Sequence, residues 1–428
     1  MKTIYLPMAA DIINSGHLNV IKKAKKYGKI IVGLFTDSAI AEYKSLPLID
    51  YDQRLQIIKN VKGISKIVKQ ETWDFTNNLK KLKPNYVIHG DDWRKGIQKK
   101  MRRKVINTLK KWNGKLVEIP YSYKVQSSKI HEKVKNLYFN NESRVSRLKR
   151  LMESKPIVRI LESHNSLTGL IIENLKMTKS GRFLEFDGMW SSSLTDSVVR
   201  GKPDNQSVDY STRVSGLNEI LDVTNKPVIF DADNGGRIEH LSYLIRSLER
   251  AGISALVIED KVGLKKNSLY KNQLDVKQDS IINFCKKIRK ANESKLSKDF
   301  LIIARIESLI LGKKREDAIK RAEAYSRAGA DAILIHSKRK NSSEVFNFAK
   351  KFKKNKFYKP LVAVPSTYSK TYEKDLVKNG FKIVIYANHL LRAAYPAMLN
   401  AAKSILNSQR SYDIEKRISP IKEVLNLI

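Results

Sequence analysis

The chain has 428 residues, of which 42% are hydrophobic, and its one cysteine is Cys285. A single cysteine excludes an internal disulfide framework and a cysteine-based zinc site, and no apolar run reaches the roughly 18 residues of a membrane span. Lys and Arg (82) outnumber Asp and Glu (43), which gives a formal net charge of +39. The lysines are scattered without a nucleic-acid-binding motif, so we expect small polyanionic substrates rather than a specific nucleic acid. The N-terminus lacks signal-peptide features, so we expect a cytoplasmic enzyme without a membrane partner.

The first 135 residues alternate between apolar runs and amphipathic stretches. Apolar runs at 2–6 and 29–36 flank a helical pattern at 18–27, which predicts a βαβ unit with parallel strands. Further strands are predicted at residues 64–68, 86–88 and 116–120. We therefore expect an N-terminal α/β domain with a Rossmann-like, doubly wound sheet over residues 1–135.

Residues 136–155 are basic and polar, and we expect them to form a helical linker. From residue 156 to 428 an apolar run and a helical pattern alternate eight times. The predicted strands are 157–161, 183–190, 228–233, 255–259, 301–306, 332–336, 361–365 and 383–387. Eight βα units in about 250 residues predict a (β/α)8 TIM barrel, with helices after the eighth strand. Because active sites of such barrels lie at the carboxyl ends of the strands, those ends hold the candidate site residues.

Three carboxylates end the third and fourth predicted barrel strands. Asp231 and Asp233 are two residues apart, so on a strand both side chains would leave the same face, and Glu259 ends the next strand. An oxygen-rich pocket of this kind suits Mg²⁺. The run Asp233-Asn234-Gly235 is also typical of a turn, and alone it would favour the turn. An arginine and a histidine on the same rim favour the metal site.

Cationic and polar groups end the following strands. Arg305 ends the fifth predicted strand, and its planar guanidinium suits a carboxylate or a phosphate. His336 ends the sixth and offers a hydrogen-bond donor or a proton relay near neutral pH, although a lone histidine there is often structural. The loop after the fourth strand carries Lys265, Asn267 and Ser268. Its composition suits closure over an anionic substrate, and equally a solvated basic loop.

Seven segments of the barrel region together resemble one known family. They are residues 162–168, 190–194, 231–233, 259–268, 304–307, 328–338 and 386–389. In this pattern residues 157–405 are similar to phosphoenolpyruvate (PEP) mutases, in the isocitrate lyase/PEP mutase superfamily. The resemblance implies interconversion of PEP and phosphonopyruvate, the C–P bond-forming entry to phosphonate biosynthesis, with Mg²⁺ as cofactor. The phosphoryl group passes between the enol oxygen and C3, so the site must exclude water.

The same resemblance assigns roles to individual residues. The implied catalytic residues are Asp204, Lys265, Asn267, Arg305 and His336. The implied substrate-binding residues are Trp190, Ser192, Leu194 and Ser268. The implied metal-binding residues are Asp231, which would bind Mg²⁺ directly, and Asp233 and Glu259, which would act through water. Arg305 and His336 would bind the phosphoryl group. Asp204 follows Pro203, where the family often has arginine.

Two relatives within the superfamily compete with the mutase. Isocitrate-type lyases carry a Lys-Lys-Cys-Gly-His loop with a catalytic cysteine, and the sequence has no such run. Phosphonopyruvate hydrolases share most of the site but replace the asparagine that corresponds to Asn267. Asn267 therefore favours the mutase, and the hydrolase stays the alternative. The superfamily also implies a homo-oligomer, a dimer or a tetramer, with an exchanged C-terminal helix.

Four segments of the first domain resemble HxGH-type cytidylyltransferases. They are residues 10–17, 51–54, 89–93 and 127–130. In such enzymes the helix N-terminus after the first strand holds the triphosphate group of the nucleotide. The resemblance implies transfer of CMP from CTP to a small phosphonate such as 2-hydroxyethylphosphonate, with Mg²⁺ in this domain as well. The implied nucleotide-binding residues are Asn14, Gly16, His17, Lys44, Asp91, Asp92, Ser127 and Ser128.

The first domain departs from the HxGH pattern at two positions. Asn14 replaces the first histidine, and His131 stands where another basic residue is expected. Asparagine can donate a hydrogen bond to a phosphate but cannot carry charge or relay a proton. Two interpretations therefore stay open: an active cytidylyltransferase, or a catalytically inactive domain that binds a nucleotide or serves a structural purpose. The sequence does not name the phosphonate that accepts CMP.

Overall fold

The computed structural model describes residues 2–94, 98–120, 141–179, 182–270, 273 and 275–427. The described residues divide into two compact units. The N-terminal unit holds those within 1–139, together with 153–155 and 176–185, and the second unit holds the remainder. Within these described ranges no helix is long and apolar enough to cross a membrane.

The N-terminal unit contains a five-stranded parallel sheet. Its strands are β1 (Thr3–Met8), β2 (Lys29–Phe35), β3 (Ile64–Gln70), β4 (Tyr86–Gly90) and β5 (Lys115–Ile119), in the order β3-β2-β1-β4-β5. The α-helices described in this unit are Ser15–Ala24, Asp37–Ala41, Tyr51–Lys59, Thr76–Leu82 and Lys99–Leu109. The predicted doubly wound α/β domain is confirmed. The strand order reverses between β1 and β4, which is where open parallel sheets bind ligands.

Both faces of this sheet are buried, as its β1 shows. Ile4, Leu6 and Met8 belong to one hydrophobic cluster, whereas Tyr5 belongs to a second. Side chains alternate between the faces of a strand, so the two clusters lie on opposite sides of the sheet. This burial explains why β1 reads as a continuous apolar run rather than as an alternating one.

The second unit is built on a closed barrel of eight parallel strands. In chain order the first four are β6 (Val158–Glu162), β9 (Gly188–Ser191), β10 (Val228–Asp231) and β11 (Ala255–Glu259). Between β6 and β9 the chain forms a hairpin of β7 (Lys176–Lys179) and β8 (Arg182–Glu185), which belongs to the N-terminal unit. After the short pair β12 (Lys261–Val262) and β13 (Lys277–Gln278) come β14 (Leu301–Ile306), β15 (Ala332–Ile335), β16 (Leu361–Ala363) and β17 (Phe381–Tyr386). Their order around the barrel is β10-β11-β14-β15-β16-β17-β6-β9. The predicted (β/α)8 barrel is confirmed.

Helices surround the barrel. They are Asn141–Ser154, Ser166–Asn174, Ser193–Val198, Tyr210–Asp222, Ile238–Ala251, Ile281–Ser294, Arg315–Arg327, Ser343–Phe352, Glu373–Lys378, His389–Ser408, Tyr412–Glu415 and Ile421–Leu425. The strands and the helices that pack on them enclose one large hydrophobic cluster, which includes Phe230, Ile258 and Phe348. The last three described helices contribute no buried residue to this cluster. This core fixes the strand ends that carry the candidate site.

One predicted strand is wrong in its extent. Residues 183–190 are not a single strand: β8 pairs with β7 in a hairpin, and only β9 belongs to the barrel. The extended strand pattern is interrupted at Asp187. The backbone amide of Asp187 donates to the carbonyl of Arg159, and its carboxylate accepts from the backbone amide of Arg159. A Cβ on Gly188 would lie 2.6 Å from the carbonyl oxygen of Pro227, so a glycine is required where the barrel strand begins.

Residues 141–154, within the predicted linker, form a helix that packs on the barrel core. Val145 and Leu148 are buried. The guanidinium of Arg144 donates to the carbonyl oxygens of Leu221 and Thr224 at 3.2 and 3.0 Å. The boundaries 1–135, 136–155 and 156–428 stay predictions.

Candidate active site

The carboxyl ends of the barrel strands surround a cavity. Ten of the twelve residues predicted for the barrel site line it: Trp190, Ser192, Leu194, Asp204, Asp231, Lys265, Asn267, Ser268, Arg305 and His336. The other two, Asp233 and Glu259, lie behind this surface and are 4% and 2% exposed. The structure therefore brings the predicted barrel-site residues to one place, and their chemical roles stay predictions.

The acidic side of the cavity begins with Asp231, the last residue of β10. Its Oδ2 accepts a hydrogen bond from Ser193 Oγ at 2.9 Å. Although burial opposes it, the charges of Lys265 and Arg305 hold the pKa of Asp231 below its ordinary value. Asp231 is therefore ionised in the cavity wall.

Asp233 reaches the site by a different route from the one predicted. The strand ends at Asp231, and Asp233 has a φ of +50°, in the left-handed region. The alternation of side chains on a strand therefore does not apply, and the predicted same-face argument is wrong. The turn still directs the carboxylate inward, because Asp233 Oδ1 lies 2.5 Å from Lys265 Nζ. The predicted turn is therefore present, and the metal site, its predicted alternative, stays a prediction.

Glu259 is a further buried carboxylate on the acidic side. Its buried Oε2 has no hydrogen-bond partner among the described residues and lies 3.4 Å from the guanidinium of Arg305. Burial raises the pKa of Glu259 to about 7, against the opposing charges of Arg305 and Lys261. An additional cation nearby would favour the ionised carboxylate.

The cationic side of the cavity centres on Arg305 in β14. Its Nη2 donates to Ser268 Oγ at 2.8 Å and lies 3.1 Å from His336 Nδ1, while its Nε is 2.5 Å from Glu307 Oε1. Burial and the charge of Arg305 lower the pKa of His336, so the imidazole is neutral near pH 7. Arg305 thus has a fixed orientation and presents positive charge beside a neutral histidine.

Glu307 is part of this arrangement, and it was not among the predicted site residues. It is fully buried, two residues after Arg305. Burial alone would raise its pKa, but Arg305 and Lys261 hold the pKa of Glu307 well below its usual range. Its position at a strand end next to Arg305 was the signal in the sequence.

The loop of residues 261–270, called the gate loop here, closes one side of the cavity. Lys265 Nζ lies 2.7 Å from Asp204 Oδ1, and Asn267 Nδ2 donates to Asp204 Oδ2 at 2.6 Å. Asp204 lies beyond the helix Ser193–Val198, so these contacts join two separate loops. The side-chain amide of Asn234 (Nδ2) also donates to the carbonyl oxygen of Gly263 at 3.0 Å.

Arg213 lies beneath the acidic side and carries no sequence signal. It comes from the helix Tyr210–Asp222 and is 2% exposed. Its Nη1 donates to the carbonyl of Asp231 at 2.6 Å, its Nε donates to Asp196 at 2.9 Å, and its guanidinium lies 3.8 Å from Asp233 Oδ2. Arg213 therefore positions the backbone that carries the two aspartates.

The acidic side fits a Mg²⁺ ion that keeps much of its water. In the part of the chain that the structure describes, no group of three or more His, Cys, Asp or Glu is close enough to hold a metal. Mg²⁺ characteristically uses one or two carboxylates and retains several waters, so a cage of three protein ligands is not needed. Asp231 faces the cavity, and the buried Oε2 of Glu259 accepts no hydrogen bond from the residues that the structure describes, so a metal-bound water could supply one.

In the N-terminal unit, the residues at the end of β1 form a helix cap. Asn14 is the N-cap of the helix Ser15–Ala24, and its Oδ1 accepts from the amides of Gly16 and His17. His17 Nδ1 in turn accepts from the amide of Asn14 at 3.3 Å. A helix N-terminus with its first amides aligned in this way is a common anion site.

The remaining predicted nucleotide-binding residues are only partly placed. Asp91 follows β4, the neighbour of β1 in the sheet. Asp91 and Asn14 therefore both lie beyond the carboxyl ends of adjacent parallel strands. Lys44 Nζ is 5.7 Å from the ring of Tyr43. Ser127 and Ser128 lie outside the described residues, as do His131 and the side chain of Asp92.

A buried aspartate in this unit was not predicted. Asp11 is 4% exposed, and its carboxylate accepts from the amides of Leu48 and Ile49 at 3.1 and 3.0 Å. It therefore ties the loop that follows Lys44 to the end of β1. Its place beside Asn14 in the 10–17 segment was the available signal.

Comparison with known families places both units. Residues 148–406 match the family described as phosphoenolpyruvate phosphomutase, and residues 9–133 match the family described as cytidylyltransferase-like. The phosphoenolpyruvate phosphomutase of Tetrahymena pyriformis is 34% identical over 293 residues, which is 68% of this chain and 93% of that protein. The phosphonopyruvate hydrolase of Variovorax sp. (strain Pal2) is 33% identical over 271 residues, which is 62% of this chain and 91% of that protein.

Solved structures give the same picture for the barrel. The phosphoenolpyruvate phosphomutase from Streptomyces platensis subsp. rosaceus has a TM-score of 0.61 at 34% identity, covering 66% of this chain and 94% of that chain. A phosphonopyruvate hydrolase in complex with oxalate and Mg²⁺ has a TM-score of 0.58 at 31% identity, covering 66% and 94%. Mutases and hydrolases are nearly equally similar, so overall identity does not separate the two activities.

Proposed function

The chain belongs to the phosphoenolpyruvate phosphomutase family, and from that membership we propose that its barrel interconverts PEP and phosphonopyruvate. The observation that carries the proposal is the pair of contacts from Lys265 and Asn267 to Asp204 across the cavity. A reaction that moves a phosphoryl group from one atom of a substrate to another must keep water away. A polar loop bound over an otherwise buried site serves that need.

The cationic side would hold the phosphoryl group. Arg305 offers a guanidinium that Glu307 holds in place, and neutral His336 offers a hydrogen-bond donor. Because these groups are already ordered, little reorganisation is needed when charge develops on the phosphoryl oxygens. Asn267 would direct its amide at the same oxygens, which explains its place opposite Asp204.

The other side would hold the pyruvyl group. Ser192 and the ring of Trp190 line the cavity next to Asp231. We propose that Asp231 holds Mg²⁺ directly, with Asp233 and Glu259 acting through water, and the bound ion would neutralise the negative charge of the pyruvyl oxygens. The hydrolase structure with oxalate and Mg²⁺ supports this choice of ion.

The test of the barrel's activity is Mg²⁺-dependent turnover of phosphonopyruvate followed by phosphorus NMR. Wild type should form PEP, and Asp231→Ala should lose the reaction. Hydrolysis to pyruvate and phosphate would move the assignment to phosphonopyruvate hydrolase. That alternative is kept because the Variovorax relative is 33% identical.

We propose that the N-terminal unit transfers CMP from CTP to a small phosphonate such as 2-hydroxyethylphosphonate, releasing pyrophosphate with Mg²⁺. The cytidylyltransferase-like family match over residues 9–133 and the helix N-terminus at Asn14 support this. The test is pyrophosphate release from CTP with a panel of small phosphonates. If only Asn14→His releases pyrophosphate, the domain is an inactive binding or structural module.

We propose that the chain forms a homodimer or tetramer through the helix His389–Ser408. This 20-residue helix has no buried residue, although Tyr395, Met398 and Leu406 are 65%, 61% and 77% exposed. An apolar helix surface of this size is typical of an interface with another chain.

We place both reactions in the cytoplasm, where PEP and CTP are available.

A further inference from the structure

Lys261 is a buried lysine with four oxygen neighbours. It is the first residue of β12 and is 4% exposed. Its ammonium donates to Ser268 Oγ at 2.8 Å and to the carbonyl oxygen of Lys266 at 3.0 Å. It also lies 3.3 Å from Glu259 Oε1 and 3.4 Å from Glu307 Oε2. A buried ammonium is stable only when it is surrounded by such partners.

The four neighbours belong to two different parts of the site. Lys266 and Ser268 are in the gate loop, whereas Glu259 and Glu307 are at the ends of the barrel strands. Ser268 strengthens the same junction, because its hydroxyl lies 2.6 Å from Glu307 Oε2 and accepts from Arg305 at 2.8 Å. Lys261 is therefore the cation at which the gate loop joins the Arg305–Glu307 pair.

The gate loop is thus bound on two sides of the cavity. On one side Lys265 and Asn267 contact Asp204. On the other side Lys261 fixes the loop's own backbone at Lys266 to the barrel rim. Removing the second attachment would leave the loop held by the Asn234–Gly263 hydrogen bond and by the residues that must also meet the substrate.

We propose that Lys261 is a positioning residue that holds the gate loop closed, so that water cannot reach the phosphoryl group during transfer. The inference rests on the proposed mutase function. Lys261 lies outside the set of residues that line the cavity, so it acts through Ser268 and the gate backbone rather than on the substrate.

The consequence is a choice between two acceptors for one phosphoryl group. In the mutase reaction the P–C bond of phosphonopyruvate breaks and the enolate oxygen forms the new P–O bond, giving PEP. When the gate opens, a water oxygen forms the P–O bond instead, and water's proton reaches C3 of the enolate. The products are then phosphate and pyruvate, and water is the only additional reactant.

The experiment compares Lys261→Met with Lys266→Met in the full-length protein. Lys266→Met is the matched control, because among the described residues the ion pair of the Lys266 side chain is with Asp275, which is 87% exposed, at 3.7 Å. With Mg²⁺ and phosphonopyruvate, Lys261→Met should lose at least about tenfold in kcat for PEP formation and divert turnovers to pyruvate and phosphate. Lys261→Arg should retain most of the PEP formation, and Lys266→Met should match wild type.

A second measurement does not depend on activity. Trypsin should cleave after Lys265 faster in Lys261→Met than in wild type, because Lys265 is 6% exposed when the gate is closed. If Lys261→Met is cleaved at the wild-type rate and forms PEP and pyruvate in the same ratio as wild type, the inference is overturned. If Lys261→Met does not fold, Ser268→Ala tests the same junction, and absence of the leak there overturns it. Absence of turnover in wild type would instead count against the proposed mutase.

Discussion

Asn267 Nδ2 donates to Asp204 Oδ2 at 2.6 Å and joins the gate loop to a loop that leaves another strand of the barrel. The two residues lie 63 positions apart in the sequence. Both line the cavity beside Arg305 and His336. The contact therefore closes the site at the place where the phosphoryl group is expected.

Asn267→Ala should abolish mutase activity without unfolding the barrel. The amide loses both its contact to Asp204 and its proposed contact to the phosphoryl group, so kcat should fall by about 100-fold or more. The measurement is the rate of PEP formation from phosphonopyruvate. Leu264→Ala is the control, since Leu264 is in the same loop and 73% exposed. Equal rates for Asn267→Ala and wild type would contradict the assigned role.

Arg213→Met should destabilise the barrel. The change leaves Asp196 and the backbone of Asp231 without a buried cation, and loss of one partner of such a pair costs about 3–5 kcal/mol in the free energy of unfolding. Chemical denaturation measures this difference. Arg246→Met, on an exposed position of the neighbouring helix, should change the free energy by less than about 0.5 kcal/mol. An equally small effect at Arg213 would remove its positioning role.

Glu118 predicts a pH dependence of stability in the N-terminal unit. Hydrogen bonds from Arg102, Arg94 and Trp93, working against burial, lower its pKa to about 2. A carboxylate whose folded pKa is lowered stabilises the fold above its unfolded pKa, near 4.5, and loses that contribution as the pH falls toward 2.

Glu118→Gln should therefore cost about 1–2 kcal/mol at pH 7, allowing for the partly exposed arginines, and less at each step below pH 4.5. Denaturation curves over this pH range measure the difference. Glu71→Gln is the control, because Glu71 is 73% exposed and 3.7 Å from Lys69. A pH-independent difference between wild type and Glu118→Gln would contradict the interpretation.

The exposed helix predicts an association equilibrium. Leu406→Glu places a charge on the apolar surface of His389–Ser408 and should shift the protein toward the monomer in light scattering coupled to size exclusion. Ile282→Glu changes a similarly exposed residue, at 67%, on another helix and should leave the mass unchanged. A monomeric wild type would rule out the proposed interface.

The sequence predicted the architecture because its signals were local. The barrel strands are short, largely apolar runs followed by polar groups, and the barrel places those groups on one rim. Asp231, Arg305 and His336 could therefore be predicted as site residues from the sequence alone. Family resemblance then supplied Asp204, which no strand end would have marked.

The residues that sequence reasoning missed depend on contacts between distant segments. Arg213 sits on a helix like other surface arginines, and only packing under β10 buries it. Lys261 is one of many lysines until Glu307, 46 residues later, comes within 3.4 Å. The hairpin before β9 was missed because Phe183 and Leu184 continue the apolar pattern, while the break is caused by Asp187 and the carbonyl of Arg159.

A single phosphorus NMR time course tests the central claim most directly. Wild-type protein with Mg²⁺ is given phosphonopyruvate, and the phosphonate, PEP and phosphate signals are followed. Pyruvate, which contains no phosphorus, is measured enzymatically in samples from the same reaction. The proposed mutase predicts that the phosphonate resonance is replaced by that of PEP, with no accumulation of pyruvate. Stoichiometric phosphate and pyruvate without PEP would contradict it and identify a hydrolase.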